Sequence, residues 1–418
     1  MAMEYSLRAA YAGEHSDNIR LAPADGETQS EWIDTARIGF LLRERSSSRL
    51  DLRLFSQAEH RDYRRNTFND DTVLTLNSAA TWTVAPQRLD WVVEDYYGQT
   101  LVDVTGAPTP DNLQDINVLS LGPDVFWRMS ERTHGQVGVR YGNYYTEATD
   151  ADADRYALMG AWNYLWSPVA ELSLNYDGLQ TAQAHPELYR DYTRHNVFAG
   201  LNRRFPHSRL ELRAGQSFIR PEDEGTRTDN YWEARWLRPV TARTDFSVSV
   251  LSRAQDAADA VLAATAVASA PPIADVQTYR FDEAALAYAR TRAGVGDRLR
   301  LFAQELDYDT PLLDEERVGA ELEIGLGLSA TATGAVFGGF LRSDFSETGL
   351  QLRDSVAGVR LQYRMRPHVT FGLEGRWNER ASNNPGREYT ENRALLTVGY
   401  NSNPSVSGGG RLEAGPVR

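Results

Sequence analysis

The chain has no cysteine among its 418 residues. That excludes disulfides, thiolate metal sites and thiol nucleophiles, and it suits a protein that crosses an oxidising compartment. Lysine is missing as well, so all 44 basic residues are arginine. Schiff-base chemistry and the phosphate-binding lysine of a P-loop are thereby excluded; genomic base composition accounts for the bias without a functional reason. No uncharged apolar run reaches the roughly 18 residues that a membrane-spanning helix needs. With 41% hydrophobic residues and a mean hydropathy of −0.50, the chain is too polar for a helical membrane protein. A net charge of −14 argues against general nucleic-acid binding.

What is present is strand alternation. Between Ala161 and Gly178, Leu172, Leu174 and Tyr176 alternate with Glu171, Ser173, Asn175 and Asp177, the two-residue period of a strand with one apolar and one polar face. Trp162, Tyr164 and Trp166 precede them with the same period, and Ser167-Pro168 joins the two runs. Pro168 offers no N–H to a ladder, so it belongs in the turn. The unit recurs from Tyr5 to Tyr400 without a linker. The pattern predicts one all-β domain over 1–400, a closed antiparallel transmembrane β-barrel of about 20 strands (roughly 18–20), with a disordered tail over 401–418. Such strands are longer than the 5 or 6 residues usual in a soluble sandwich, and no four-strand blade signature of a propeller recurs.

The connections alternate in length. Short turns are expected near Ser47, Pro86, Ser130, Pro168, Pro206, Pro239, Gly294, Ser329 and Pro367; long polar loops at His15–Ser30, Gly98–Asn112, Gln183–Asp191 and Gln255–Asp275. That asymmetry is the mark of an outer-membrane barrel of a Gram-negative bacterium, with short periplasmic turns and long extracellular loops. Met1-Ala2-Met3 leads straight into a strand, so the chain is read as a mature form with a replaced start. Trp82, Trp91, Trp127, Trp166 and Trp236 fall toward the short turns; Tyr96, Tyr97, Tyr144, Tyr145, Tyr231 and Trp232 fall toward the long loops. Two interfacial aromatic belts explain this placement.

With the apolar parity facing lipid, the other parity lines the lumen. It carries Arg53, Arg140, Arg213, Arg300, Arg360, Arg364 and Arg376, with Asp51, Glu171, Asp177, Glu211, Glu321, Glu323 and Glu374. Arg209, Glu211 and Arg213 are spaced to brace one another. These residues are either structural ion pairs in a wet wall or a track for a polar, anionic polymer. In the loop Gln255–Asp275, the run from Ala257 through Asp259 and Leu262 to Ala264 has helix-forming composition, and Pro271 and Pro272 stop it. Such a helix folds into the mouth as a gate, or the segment is a mobile external loop.

Catalytic signals are poor. His134, His207 and His368 fall at short turns, and His60, His185 and His195 near the loop rim; no Gly-x-Ser-x-Gly or His-Glu-x-x-His spacing occurs. The acidic runs Glu222-Asp223-Glu224 and Asp314-Glu315-Glu316 read as solvated loop charge. No catalytic residue, metal ligand or cofactor is expected, and the chain is not expected to be an enzyme.

The stretch Ser16-Asp17-Asn18-Ile19-Arg20-Leu21-Ala22-Pro23 after the first strand, with the turns Trp82–Pro86, Trp166–Pro168 and Trp236–Pro239, resembles outer-membrane barrels of the beta-barrel porin 2 type encoded with exopolysaccharide systems. The resemblance implies an outer-membrane barrel associated with polysaccharide secretion. The chain is expected to be a monomer in contact with outer-membrane lipids and lipopolysaccharide, a channel that exports a secreted polysaccharide handed over by a periplasmic polysaccharide-export protein. A general or small-solute porin, a surface enzyme modifying lipid or polysaccharide, and a plugged scaffold barrel are the alternatives.

Overall fold

The computed structural model describes residues 3–404 apart from 24–25, 46–48, 187, 223–224, 266–277, 293–294 and 310. The chain forms β1 (Glu4–Ser16), β2 (Glu31–Glu44), β3 (Leu50–Tyr63), β4 (Asp71–Ala85) and β5 (Leu89–Leu101). β6 (Leu113–Arg128), β7 (Thr133–Thr146), β8 (Ala153–Ser167), β9 (Ala170–Gln183) and β10 (Tyr192–Phe205) follow. Next come β11 (Ser208–Pro221), β12 (Arg227–Thr241) and β13 (Thr244–Gln255), then helix α1 (Ala257–Thr265). β14 (Tyr279–Arg292), β15 (Val295–Tyr308), β16 (Glu315–Gly327) and β17 (Ala332–Phe345) continue the wall. It ends with β18 (Gln351–Arg366), β19 (Val369–Ser382) and β20 (Tyr389–Asn401).

Each strand pairs antiparallel with its successor, and β20 returns to β1 from Arg8 opposite Asn401 to Ser16 opposite Arg393. The 20-stranded sheet is therefore a closed barrel, which leaves no unpaired edge. At a strand spacing of about 4.8 Å and a tilt of about 40°, twenty strands enclose a backbone diameter of about 40 Å.

Opposed residues share a face of the wall. Tyr5, Leu7 and Ala9 of β1 stand opposite Leu42, Phe40 and Ile38 of β2, and Leu42 stands opposite Leu54 of β3. This outward row continues through Leu172 and Leu174, Val336 and Val359, and Leu373 and Leu396. Many of its large apolar side chains are exposed, an apolar band that only a lipid bilayer covers. The chain is an integral outer-membrane β-barrel.

Trp82, Trp91, Trp127 and Trp166 are exposed at the short-turn rim. The belt at the other rim differs from expectation. Tyr97, Tyr145 and Trp232 face outward, but Tyr96, Tyr144 and Tyr231 face inward, where Tyr144 is 1% exposed. Adjacent residues of one strand point to opposite faces, so each Tyr-Tyr pair divides between lipid and lumen.

Among the described residues, register shifts lie between Thr83 and Ala85, Leu165 and Ser167, Pro239 and Thr241, and Arg364 and Arg366. Each adjoins a proline at the short-turn rim: Pro86, Pro168, Pro239 or Pro367.

The Ser-Asp-Asn stretch proves to be the clasp of the barrel seam. Ser16 Oγ donates to Glu391 Oε1 at 2.6 Å, and Asp17 accepts from the Asn392 N–H at 2.7 Å and from Asn392 Nδ2 at 2.8 Å. Asn18 Nδ2 donates to the Thr390 carbonyl at 3.0 Å, and its Oδ1 accepts the Ala22 N–H at 3.0 Å. At the opposite end of the same seam, the tail expected to be disordered from residue 401 is paired at its start, with Asn401 opposite Arg8. Ser402 donates its N–H to the Leu7 carbonyl at 2.9 Å and accepts the Leu7 N–H on its hydroxyl at 2.8 Å. Residues 405–418 lie outside the described part of the chain.

Candidate functional site

The inward faces change character along the barrel axis. On β3, Asp51 and Arg53 near the short-turn rim are exposed, whereas Glu59 and Tyr63 near the long-loop rim are buried. On β10 and β11, Arg204, Arg209 and Arg213 are exposed, whereas Arg194, Asn196, Ser217 and Ile219 are buried. The lumen is thus a cup, open toward the short turns and filled toward the long loops.

Paired charges line the cup. Arg140 makes a bidentate pair with Asp124 at 2.9 Å through each nitrogen, and Arg300 reaches Glu283 at 2.8 Å but Glu321 only at 4.0 Å. Arg360 and Arg376 both hold Glu374 at 2.7 Å, their guanidiniums over the Phe337 ring at 5.2 and 5.7 Å. That ring lies across Gly358, where an added Cβ would come within 2.3 Å of it. Arg209 bridges Glu211 at 2.8 Å, but Arg213 does not complete the expected triplet; it pairs across the strand with Glu233 at 3.1 Å. Arg364 donates to the Ala330 carbonyl at 2.9 Å, and Asp51 lies 3.7 Å from Arg45, both near the short-turn rim. Glu321 and Glu323 share the inward face of β16. Glu315 is not solvated loop charge: it faces inward, 4% exposed, and binds Arg317 at 2.5 Å.

Two segments fill the deep end. The first is α1. Ala257, Ala258, Ala260 and Val261 are buried against Ile116 and Val118 of β6, Tyr144 of β7, and Tyr279, Leu306 and Tyr308 of β14 and β15; Leu262 packs at the margin. These strands belong to separate arcs of the wall, so the helix lies across the lumen. Asp256 begins it, accepting the Asp259 N–H on Oδ1 at 2.8 Å as an N-cap. The same carboxylate accepts from Arg155 Nη2 at 2.8 Å and from the Tyr192 hydroxyl. Asp259 bridges Arg155 Nη2 at 2.7 Å and Arg194 Nη2 at 2.6 Å. Burial opposes ionisation of Asp259, but the two guanidiniums outweigh it and hold the carboxyl well below the usual carboxylate range. Pro271 and Pro272 lie outside the described residues.

The second segment is the connection 102–112. Arg380 of β19 donates to the Gly106 carbonyl at 2.9 Å while gripping Asp354 at 2.6 and 2.8 Å, and Arg387 lies 3.5 Å from Asp103. The loop that leaves β5 therefore reaches across the mouth to the β19–β20 side.

No family model matches the sequence, and no curated protein matches it. Among solved structures, the chain is similar to a mutant of the ferric enterobactin receptor PfeA from Pseudomonas aeruginosa, with 10% identity over 94% of this chain and 80% of that one and a TM-score of 0.46. It is also similar to the siderophore receptor PirA from Pseudomonas aeruginosa, with 11% identity, 94% and 80% coverage and a TM-score of 0.45. The ferric-catecholate import receptor Fiu from E. coli gives 9% identity, 95% and 81% coverage and a TM-score of 0.44.

The residues that sequence reasoning missed are those that receive α1. Arg155, Arg194 and Tyr192 carried the right parity, yet nothing local distinguishes them from other inward arginines and tyrosines. They come from β8 and β10 and meet a loop far along the chain, 101 positions from Arg155 to Asp256, 64 from Tyr192 to Asp256 and 65 from Arg194 to Asp259. The histidines remain dispersed. His195 bonds the Tyr176 hydroxyl at 2.8 Å and His60 the Thr72 hydroxyl at 2.9 Å, both on the outward parity. No group of three potential metal-ligating side chains occurs among the described residues.

Proposed function

We propose that this barrel is the outer-membrane exit port for a secreted polysaccharide. The supporting observation is the asymmetric lumen: a wide cup faces the short-turn, periplasmic rim, and α1 bars the deep end beneath the long loops. A polymer handed over by a periplasmic export protein enters the open end and meets a wall of arginines, carboxylates and aromatic rings. A general porin needs a standing aqueous path, whereas an exit port needs one only while cargo passes. The resemblance of the Ser16–Pro23 stretch and the proline turns to barrels encoded with exopolysaccharide systems agrees with this reading. The transport is passive and the chain acts as a monomer, not as an enzyme; lipopolysaccharide surrounds its outward face.

Deleting the gene and quantifying polysaccharide at the surface and in the periplasm tests the proposal. Loss at the surface with periplasmic accumulation, reversed by the intact gene, is the expected result. Unchanged surface polymer overturns the reading and leaves a small-solute porin in its place.

A further inference from the structure

We infer that Arg155, Arg194 and Tyr192 form an anion site for a carboxylated sugar, and that α1 occupies it in the sugar's absence. The inference deepens the export reading, on which it rests, by naming the substrate class. An intramolecular lock built for strength alone would use each guanidinium as a two-pronged fork. Here, among the described residues, Arg155 and Arg194 both reach the loop through Nη2 alone. Arg155 Nε and both Arg194 Nε and Nη1 have no hydrogen-bond acceptor among the described residues, although the two residues are only 8% and 7% exposed. Buried donors of this kind are normally satisfied.

Two acceptors beside them also find no donor among the described residues. Thr181 stands opposite both Arg155 and Tyr192, and Asn196 follows Arg194 on the same face of β10. Thr181 Oγ1 and Asn196 Oδ1 are buried without partners among the described residues. The wall therefore presents cationic donors flanked by hydroxyl and amide oxygens, the complement of a sugar that carries one carboxylate and several hydroxyls. Asp256 and Asp259 fill only the anionic part of that description. They place two carboxylates within one helical turn, about 5 Å of rise, and a single guanidinium serves both. An acidic polymer with repeated carboxylates competes for the same nitrogens. When it wins, α1 loses its polar anchor and leaves the lumen.

The test uses the full-length barrel in detergent, with trigalacturonate, maltotriose and inorganic sulfate as calorimetric probes. Trigalacturonate should bind the wild type weakly and the Asp256→Asn, Asp259→Asn double variant roughly tenfold or more tightly, because the internal competitor has lost its charge. Deleting residues 257–265 should give the same gain by an independent route. Binding should vanish in the Arg155→Gln, Arg194→Gln variant, whose folding is checked by heat-dependent gel mobility. Maltotriose binding equal to trigalacturonate, or no gain on removing the aspartates and the helix, overturns the site. Sulfate binding as tight as trigalacturonate overturns its assignment to a sugar. The gene deletion separates the two readings: surface polymer lost with no trigalacturonate gain condemns the site alone, and trigalacturonate bound with surface polymer intact condemns the export direction alone.

Discussion

Asp17 at the end of the first strand holds Asn392 of the last through both its backbone N–H, at 2.7 Å, and its side-chain amide, at 2.8 Å. This pair, with Ser16 on Glu391, pins the register of the one contact between β1 and β20, the contact that turns a sheet into a barrel. Nothing in the pair faces the lumen constriction. Asp17→Ala should lower the thermal unfolding midpoint of the barrel, at a cost of about 1.5–3 kcal/mol for hydrogen bonds to a charged group, and should leave conductance unchanged. Circular dichroism melts and planar-bilayer recordings check both halves; an unaltered midpoint would show that the seam is held without it.

Removing α1, residues 257–265, should raise single-channel conductance, because the helix lies across the lumen between β6–β7 and β14–β15. Equal conductance before and after the deletion would mean that the helix does not obstruct the path.

A subtler substitution separates obstruction from loop length. Val261 is buried against the wall, and Val261→Arg places an unpaired charge among Ile116, Val118 and Tyr144. Breaking such a packed contact costs about 2–5 kcal/mol. The expected outcome is a barrel of unchanged melting temperature with frequent open events. A permanently closed channel would count against apolar docking as the latch.

Acid should release the same latch. The Asp259 carboxyl is held below its usual value of about 3.9. A depressed carboxylate contributes stability that is fully present above the unfolded value and is lost as pH falls through the folded one. Conductance should therefore stay low from neutral pH down to about 4 and rise only in stronger acid. Asp259→Asn should remove that acid step. Opening of the wild type between pH 6 and 7 would assign the latch to another group.

Glu374 neutralises two arginines at once, at 2.7 Å each. Glu374→Ala should cost about 3–5 kcal/mol, the usual penalty for stranding a buried partner. In the bilayer it should shift the reversal potential in a salt gradient toward anion selectivity. An unchanged reversal potential would place this ladder off the conducting path.

The sequence by itself determined the wall. Strand alternation, a proline at many short turns and long polar loops on the other rim specify a closed barrel and the parity of each strand, since a one-residue slip would turn every apolar side chain away from lipid. The inward placement of Arg140, Arg300, Arg360 and Glu374 follows from parity alone. Partners do not. Arg213 faces Glu233 on the neighbouring strand and not Glu211 on its own, because cross-strand register, which parity leaves open, brings the two together. The closure of the mouth was further from view. Alanine-rich composition announced a helix after Gln255, but its position depends on Tyr144, Tyr279, Tyr308, Arg155 and Arg194, contributed by five strands. Only closing the barrel brings those strands around one space. Helix formation is local, whereas the choice between a loop in solvent and a bar across the lumen rests on polar contacts 64 to 104 residues apart, and only the tertiary structure decides it.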